Sequence, residues 1–249
     1  MSLSINTNTV GQSAANAFRS VSDAFDRSLE KIASGKSINR AADDASGMVI
    51  AGSLNNAALS MGQQSRNASD SIAMLQIRES ALGQAVGILQ GIGEKAIQAA
   101  SDTQTPETRR AIQEDVGKQI QALTDIYKGT TFNGQPLLSD APGLAELAEL
   151  DLSTREGAEA AQEAVGEALD VIDSARSDVG SRQIQLEADI SNLGTQQVEA
   201  MRSASQIEDV DIAEEMMNMK RLDLLKKTSA FAQSKANIQG QRVAALLGG

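Results

Sequence analysis

Apolar residues recur every three or four positions along most of the chain, which is the spacing of one face of an α-helix. The first stripe consists of Val10, Ala14, Phe18, Val21, Phe25, Leu29 and Ile32. Residues 33–46 are mostly polar and contain Gly35, so they predict a connector. The N-terminal part of the chain therefore predicts one amphipathic helix followed by a break.

A second stripe is the longest in the sequence. Its apolar members are Leu54, Ala58, Met61, Ala68, Ile72, Leu75, Leu82, Val86, Leu89, Ala96 and Ala100. A helix from about Asp44 to Ser101 would be roughly 85 Å long at ~1.5 Å per residue. Such a length is typical of coiled-coil and fibrous assemblies.

Short-range signals organise the middle of the chain. Pro106 predicts the first turn of a third helix, and Gly129 is expected as its C′ residue. The Asn133-Gly134 dipeptide between short apolar runs predicts a β-hairpin, which Pro136 keeps brief.

A fourth helix is predicted from the capping-box spacing of Ser153 and Glu156. Its stripe is Ala158, Ala161, Val165, Ala168, Ile172, Ala175, Val179, Leu186, Ile190 and Leu193. This helix would be roughly 75 Å long. Joined to the second helix through a turn region, it predicts an antiparallel pair of long helical rods.

The last helix, from about 207 to 247, is apolar on more than one side and needs partners in water. The N-terminal helix is the expected intramolecular partner, and neighbouring copies are expected to cover the rest. The predicted assembly residues are the N-terminal stripe given above together with Leu222, Leu225, Phe231, Ala232, Ala236, Val243 and Leu247.

Composition supports a mainly α fold of long antiparallel helices with a small β-hairpin and with paired terminal helices. The 249 residues include no Trp, Cys or His, one Tyr and four Phe, which suits narrow helical seams better than a thick core. Without Cys and His the usual ligands of zinc, copper and haem are missing. No cofactor or metal is expected, and without His no Ser-His relay exists, so no enzyme is expected.

The net charge of -11 is unevenly placed, because residues 140–178 hold eleven acidic side chains against Arg155 and Arg176. An acidic surface is a poor partner for nucleic acid, and its simplest interpretation is a solvated face. The start, residues 1–10, has neither a basic nor an apolar region of a secretory signal. No segment approaches eighteen consecutive apolar residues, so any export is expected to use another route.

Short motifs suggest chemistry that their context does not support. Residues 35–37 resemble the end of a phosphate loop, but Glu30 stands where that loop needs glycine. Residues 91–96 match GxGxxA inside a helical repeat, where close helix packing is the simpler explanation. Asp43 and Asp44 could be paired acid-base carboxylates, but at the mouth of a long helix they are expected to be capping residues.

Near the last helix, Asp209 and Asp211 begin like a calcium loop, but Glu214 and Lys220 replace its glycine and its bidentate glutamate. The basic pairs at 220–221 and 226–227 flank leucines and would also suit a membrane-surface helix. Flanking acidic residues favour a helix packed against other helices over one on a membrane.

Four blocks resemble bacterial flagellins. LEKIASGKSINRAADDASGMVI, residues 29–50, resembles the signature LSSGxRINSAADDAAGLAI, and RNASDSIAMLQIRESAL, residues 66–82, resembles the block that follows it. TTFNGQPLL, residues 130–138, resembles the family's hairpin, and SQIEDVDIAEE, residues 205–215, resembles SRIEDADYATE. The blocks stand in the family's order and span nearly the whole chain.

The resemblance implies a subunit exported unfolded through the flagellar type III channel and polymerised beneath the filament cap, with an export chaperone and hook-junction proteins as further partners. It implies an inner-tube helix and connector at 1–43, the N-terminal part of an outer-tube rod domain with the hairpin at 44–139, and a short turn at 140–152 in place of the variable outer domains. The C-terminal helix of the rod domain would follow at 153–205, and a C-terminal inner-tube helix at 206–249. The expected location is the extracellular filament.

Many flagellins carry LQRVRELAVQ, which helps to form the surface recognised by the Toll-like flagellin receptor of animal hosts. Here the stretch 89–98 reads LQGIGEKAIQ: Leu89, Gln90 and Glu94 match, Gly91 and Gly93 replace the two arginines, and Lys95 replaces leucine. Weak or no receptor activation is therefore expected. A hook-filament junction protein and a non-flagellar signalling or adhesive coiled coil are the alternative interpretations of the chain.

Overall fold

Five helices and one two-stranded ribbon make up the described part of the chain. The computed structural model describes residues 8–138, 140–147 and 150–247, without the side chains of 240 and 243–247. The elements are α1 (Thr9–Ser34), α2 (Ala45–Ala100), α3 (Pro106–Gly129), β1 (Thr131–Phe132), β2 (Gln135–Pro136), α4 (Arg155–Glu208) and α5 (Ile212–Leu247). The predicted mainly α fold is confirmed.

The first helix has well-defined ends. The Asn8 Oδ1 atom accepts a hydrogen bond from the Gly11 N–H at 2.8 Å, which satisfies a free donor of the first turn. At the other end Gly35 takes a φ of 72° and donates its N–H to the Lys31 carbonyl at 2.9 Å. Glycine meets this left-handed conformation at low cost, so the predicted break falls where the sequence placed it.

Two predicted helix ends are wrong by one residue. Gly129 is the last residue of α3, and the cap is Thr130, whose extended backbone donates to the Ile126 carbonyl. At the start of α4, Thr154 Oγ1 accepts from the Gly157 N–H at 3.0 Å. Ser153 does not cap α4, because its N–H donates to the Asp151 carboxylate at 2.9 Å in a tight turn before the helix.

The predicted hairpin is confirmed. Thr131 pairs with Pro136 and Phe132 with Gln135 in an antiparallel ribbon. The two turn residues have φ values of 52° at Asn133 and 81° at Gly134, as the turn of a two-residue hairpin requires.

The chain forms two compact units, which are named here for their position in the sequence. The central unit is Ser60–Gln196, and the terminal unit is Met1–Leu59 with Gln197–Gly249. In the central unit α2 and α4 are antiparallel, since Gln183 donates to Glu79 at 3.3 Å while Arg155 pairs with Asp102 at 2.7 Å. The antiparallel pairing of the two long helices is thus confirmed in this unit.

The central unit has one continuous core between α2, α3 and α4. Its fully buried large side chains are Leu82, Leu89, Ile92, Val116, Leu123, Leu147, Leu152, Ile172 and Val179. Several α2 residues outside the predicted stripe are also buried, among them Ala81, Ala85, Ile92 and Ala99. The third helix explains them, because α2 is covered along two adjoining sides here.

The segment after the hairpin, predicted as a plain turn, contributes to this core. Leu138, Leu147 and Leu152 are buried. The Gln113 side chain donates to the Leu150 carbonyl at 3.0 Å and accepts from the Leu152 N–H at 2.6 Å. Its described residues therefore pack along α3 and cover part of the core.

In the terminal unit α1 and α5 pack side by side in opposite directions. The Asn8 side chain donates to the Ala236 carbonyl at 3.1 Å, near the start of α1 and well along α5. Toward the end of α1, Ser28 meets Glu215 near the start of α5. The predicted pairing of the terminal helices is confirmed.

Candidate assembly surface

Most of the predicted α1 stripe faces α5 without being fully buried. Ala14, Phe18, Val21, Phe25 and Ile32 are half-buried. Val10 is exposed, and Leu29 is 49% exposed. Ser28 lies in the place on the buried face that the stripe gave to Leu29. The spacing of three from Phe25 and four to Ile32 fits the helix equally well, and only the polarity of Ser28 hid it.

Ser28 is the buried polar residue of this helix pair, with an exposed fraction of 2%. Its Oγ donates to the Glu215 carboxylate, with 2.5 Å between Oγ and Oε1. The same Oε1 accepts from the Asn218 amide at 3.1 Å. A buried polar group of this kind costs free energy unless it is paired, so the three side chains favour one register of α1 on α5.

On α5, only part of the predicted set lies against α1. Leu222 and Ala236 are buried, whereas Leu225, Phe231 and Ala232 are exposed. The side chains of the other two predicted residues, Val243 and Leu247, lie outside the described part of the structure.

A short β-bridge ties the α1–α2 connector to the α4–α5 connector inside the terminal unit. The Ser37 N–H donates to the Glu208 carbonyl at 2.6 Å, and the Val210 N–H donates to the Gly35 carbonyl at 3.1 Å. The Lys36 Nζ lies 2.6 Å from the Glu208 carboxylate. The hydrogen bond to Glu208 raises the pKa of Lys36. These contacts use the residues that resembled a phosphate loop.

Both candidate acid-base carboxylates accept hydrogen bonds from backbone N–H groups. Asp44 accepts at the start of α2 from the Ser46 and Gly47 N–H groups at 3.0 and 2.9 Å, which lowers the pKa of Asp44. Asp43 accepts from the Arg40 N–H at 3.0 Å, and that bond lowers its pKa. The predicted capping role is confirmed for Asp44.

Asp211, the second residue of the rejected calcium motif, also caps a helix. Its Oδ1 accepts from the Ala213 and Glu214 N–H groups at the start of α5, at 2.9 and 3.1 Å. Among the described residues no group of three or more His, Cys, Asp or Glu side chains is placed to hold a metal ion. None of the helices in residues 8–247 that the structure describes is long and apolar enough to span a bilayer.

Charge and exposed apolar surface are divided between the two units. Residues 1–59 hold five basic and five acidic side chains and residues 197–249 hold seven of each, so the terminal unit is neutral and the central unit carries the whole net charge of -11. Most exposed large apolar side chains of the described residues lie in the terminal unit; those of the central unit are Ile77, Ile97, Val171 and Ile184. A neutral surface with uncovered apolar groups is suited to association.

The degenerate receptor segment is largely occupied by contacts inside the central unit. Leu89 is fully buried, and Lys95 pairs with Asp115 of α3 at 3.1 Å. A Cβ added to Gly91 would lie 3.3 Å from the Gln119 amide oxygen, and one added to Gly93 would lie 3.5 Å from a Val165 methyl group. Gln90 and Glu94 are exposed.

Two family models match most of the chain. The bacterial flagellin N-terminal helical region matches residues 5–142, and the bacterial flagellin C-terminal helical region matches residues 162–247. The first match covers the five elements from α1 to β2, and the second covers most of α4 and all of α5.

Relatives of similar length align along nearly the whole chain. A flagellin of Halalkalibacterium halodurans is 32% identical over 247 residues, which cover 89% of this chain and 91% of the relative. A flagellin of Listeria monocytogenes is 27% identical, with 98 and 99% covered. Flagellin B of Helicobacter pylori is 44% identical over 139 residues, 56% of this chain but only 27% of that longer protein. The chain therefore belongs to the bacterial flagellin family.

Proposed function

We propose that this flagellin builds its filament through the terminal unit, with the exposed apolar side chains of α1 and α5 covered by neighbouring copies. Flagellins are structural subunits of the flagellar filament, the extracellular part of the flagellum, and serve motility. The observation that carries the proposal is the concentration of uncovered apolar side chains on a neutral unit.

Burial of these side chains drives the assembly. A fully buried Leu, Phe or Met side chain contributes about 1.5 to 3 kcal/mol before the loss of conformational entropy. Of the predicted set, Phe18 and Phe25 are half-buried and Phe231 is exposed in a single copy, whereas Leu222 is already buried. Association therefore has apolar area left to remove from water.

The remaining assignments follow from the family and extend this proposal. Residues 1–43 and 206–249 would form the inner tube, residues 44–139 and 153–205 the outer rods, and residues 140–152 the short substitute for variable domains. Export chaperone, filament cap and hook-junction proteins would be the partners besides the chain itself. The subunit would act without catalysis, cofactor or nucleic acid.

We expect the host receptor to recognise the segment 89–98 of this chain only weakly. The two positions that carry arginines in many flagellins are Gly91 and Gly93, and both face other helices of the central unit. Purified monomer is expected to give little signal in cells that report activation of the Toll-like flagellin receptor. Strong activation would contradict this part of the proposal.

Electron microscopy after seeding tests the assembly function. Purified chain is added to short filament fragments, and growth of ordered helical filaments is expected. A hook-filament junction protein is the second candidate, because it shares the terminal-helix plan. Its abundance in isolated flagella would be minor, whereas a filament subunit would be the main component.

A further inference from the structure

The last helix has a second apolar seam on the side away from α1. Met217, Leu224, Phe231 and Ile238 follow one another at intervals of seven residues. They are 69, 65, 64 and 41% exposed, whereas Leu222 on the α1 side is buried. A seven-residue apolar repeat is the signature of one helix packing along another. We call these four residues the outer seam.

Basic side chains flank the outer seam. Residues 220–242 contain six basic residues and one acidic residue, Asp223. Lys235 Nζ lies 5.2 Å from the centre of the Phe231 ring, directly beside the seam. Two copies that packed this same stretch face to face would bring like charges together, which is unfavourable. The outer seam is therefore complementary to a partner surface that has apolar side chains with acidic side chains beside them.

Such a surface exists in the same unit, just before the seam. Residues 199–215 contain six acidic residues and one basic residue, Arg202. Apolar side chains stand among these charges, and Ile212 and the adjoining Met216 are exposed. The charges of the two stretches are equal and opposite, which is why the terminal unit is neutral as a whole.

We propose that the outer seam docks a second copy of this chain head to tail. The basic stretch 220–242 around the seam of one copy would lie against the acidic stretch 199–215 of the next. This inference rests on the proposed function and specifies its contact. Because the two surfaces differ, each bound copy leaves a free seam at one end and a free acidic stretch at the other. A heterologous contact of this kind propagates and does not close into a dimer.

Charge reversal in two separate variants tests the pairing. In variant A, Lys220→Glu, Lys227→Glu and Lys235→Glu change the net charge of residues 220–242 from +5 to -1. In variant B, Glu199→Lys, Asp209→Lys and Glu214→Lys change the net charge of residues 199–215 from -5 to +1. All six side chains are exposed, and the capping residue Asp211 and the Ser28 partner Glu215 are left intact. Growth from seeds is followed by light scattering, and helix content by circular dichroism.

Each variant alone is expected to elongate seeds at least about tenfold more slowly than the unchanged chain, because complementary charge raises association rates by such factors. An equimolar mixture of A and B should elongate again, since every A–B contact then pairs opposite charges. The chain carrying all six changes should also elongate, because its two stretches again carry opposite charges.

Two results would overturn the head-to-tail pairing: growth of A alone at the unchanged rate, or failure of the mixture and of the chain with all six changes although both variants keep their helix content. Failure of the unchanged chain to extend seeds would instead refute the proposed function itself. Lys118→Glu, which reverses an exposed charge of the central unit, serves as the control for charge reversal outside the two stretches.

Discussion

Individual buried polar atoms hold this fold in one arrangement. In the central unit the Tyr127 hydroxyl donates to the Pro142 carbonyl at 2.6 Å, which fixes the segment after the hairpin on α3. Ser28 has the corresponding place between α1 and α5. Each bond is modest in net free energy, but a partner left unsatisfied in the interior costs more.

Replacing Tyr127 by Phe removes one such bond. The change is expected to lower the free energy of unfolding by about 1 kcal/mol, because the Pro142 carbonyl loses its donor. Burial raises the pKa of Tyr127 to about 12 from 10.0. A raised pKa means that the folded state holds the proton more tightly, so its stabilisation is complete below pH 10 and is lost between pH 10 and about 12.

Denaturant unfolding at several alkaline pH values measures this contribution. Tyr127 is the single tyrosine of a chain without Trp, so phenolate absorbance reports its titration directly. Lysines also titrate in this range, and the Tyr127→Phe variant separates their effect. Equal losses of stability above pH 10 in both proteins would show that the buried hydroxyl has no such role.

Asp44 makes the opposite pH prediction. Its pKa is lowered by the hydrogen bonds that cap α2, so its stabilising effect is present above the unfolded pKa and is lost as pH falls through the folded pKa. Below the ordinary value of 3.8 the thermal midpoint should fall. An Asp44→Asn variant can still accept the capping bonds, and its melting curves should show a smaller acid dependence than the unchanged chain.

Gly91 and Gly93 allow a direct test of the helix interior. An added Cβ at Gly93 would lie at ordinary contact distance, 3.5 Å from a Val165 methyl group, and one at Gly91 would require only the end of the Gln119 side chain, 3.3 Å away, to move slightly. Replacing both by Ala is expected to stabilise the free chain by about 1 kcal/mol per site, seen as a higher thermal midpoint. Gly143→Ala is the control and should destabilise, since its φ is 76° and the Ala168 backbone leaves no space.

Seeded growth of the Gly91→Ala, Gly93→Ala variant decides between two roles of these glycines. Unchanged growth is expected, because both positions face helices of their own unit. Impaired growth together with a stabilised monomer would show that a neighbouring copy approaches the backbone here.

At the level of elements, periodicity predicted the five helices, because each carries an apolar pattern long enough to repeat several times. The hairpin was predictable from Asn133-Gly134, since few pairs of adjacent residues adopt positive φ values at both positions. The segment 137–152 was predicted only as a turn. Its buried leucines follow no regular period, and the Gln113 contacts that hold its backbone come from distant sequence.

Helix ends and the buried face of α1 were less predictable, for a physical reason. Ser153 and Thr154 are both good caps, and the choice depends on Asp151, which takes the Ser153 N–H. Leu29 seemed the apolar choice for the face that Ser28 occupies, and only the position of Glu215 on the partner helix makes a buried serine acceptable. The distance between Ser28 on α1 and Glu215 on α5 cannot be predicted from the sequence alone.

Leu147 tests whether the segment after the hairpin is part of the core. It is fully buried, so Leu147→Ala is expected to lower the free energy of unfolding by about 2 to 5 kcal/mol. A change at the exposed Leu59, replaced by Ala as the control, should have a much smaller effect. Similar midpoints in urea for both variants would mean that the segment only links the hairpin to α4.

On the scale of the whole molecule, burial differs sharply between the two units. The central unit contains the fully buried large side chains of the described residues, whereas the best-buried large side chain of α5 is Leu222, at 9% exposure. Local stability follows buried apolar contact. A single copy in solution should therefore open its terminal helices much more often than its central core.

Limited trypsin digestion of the monomer and of the filament tests this difference. The terminal helices offer sites such as Arg19, Arg27 and Lys227, and the central unit offers sites such as Arg66 and Lys118. In the monomer, cleavage is expected first in α1 and α5, leaving a fragment that contains the central unit. In the filament the same terminal sites should be protected, because neighbouring copies then cover the exposed apolar side chains. Opening of the terminal helices then costs more free energy than it does in the monomer. Mass spectrometry of the early fragments identifies the cleaved sites. If the terminal helices of the monomer resisted cleavage to the same degree as the central unit, they would need no neighbouring copy to be stable.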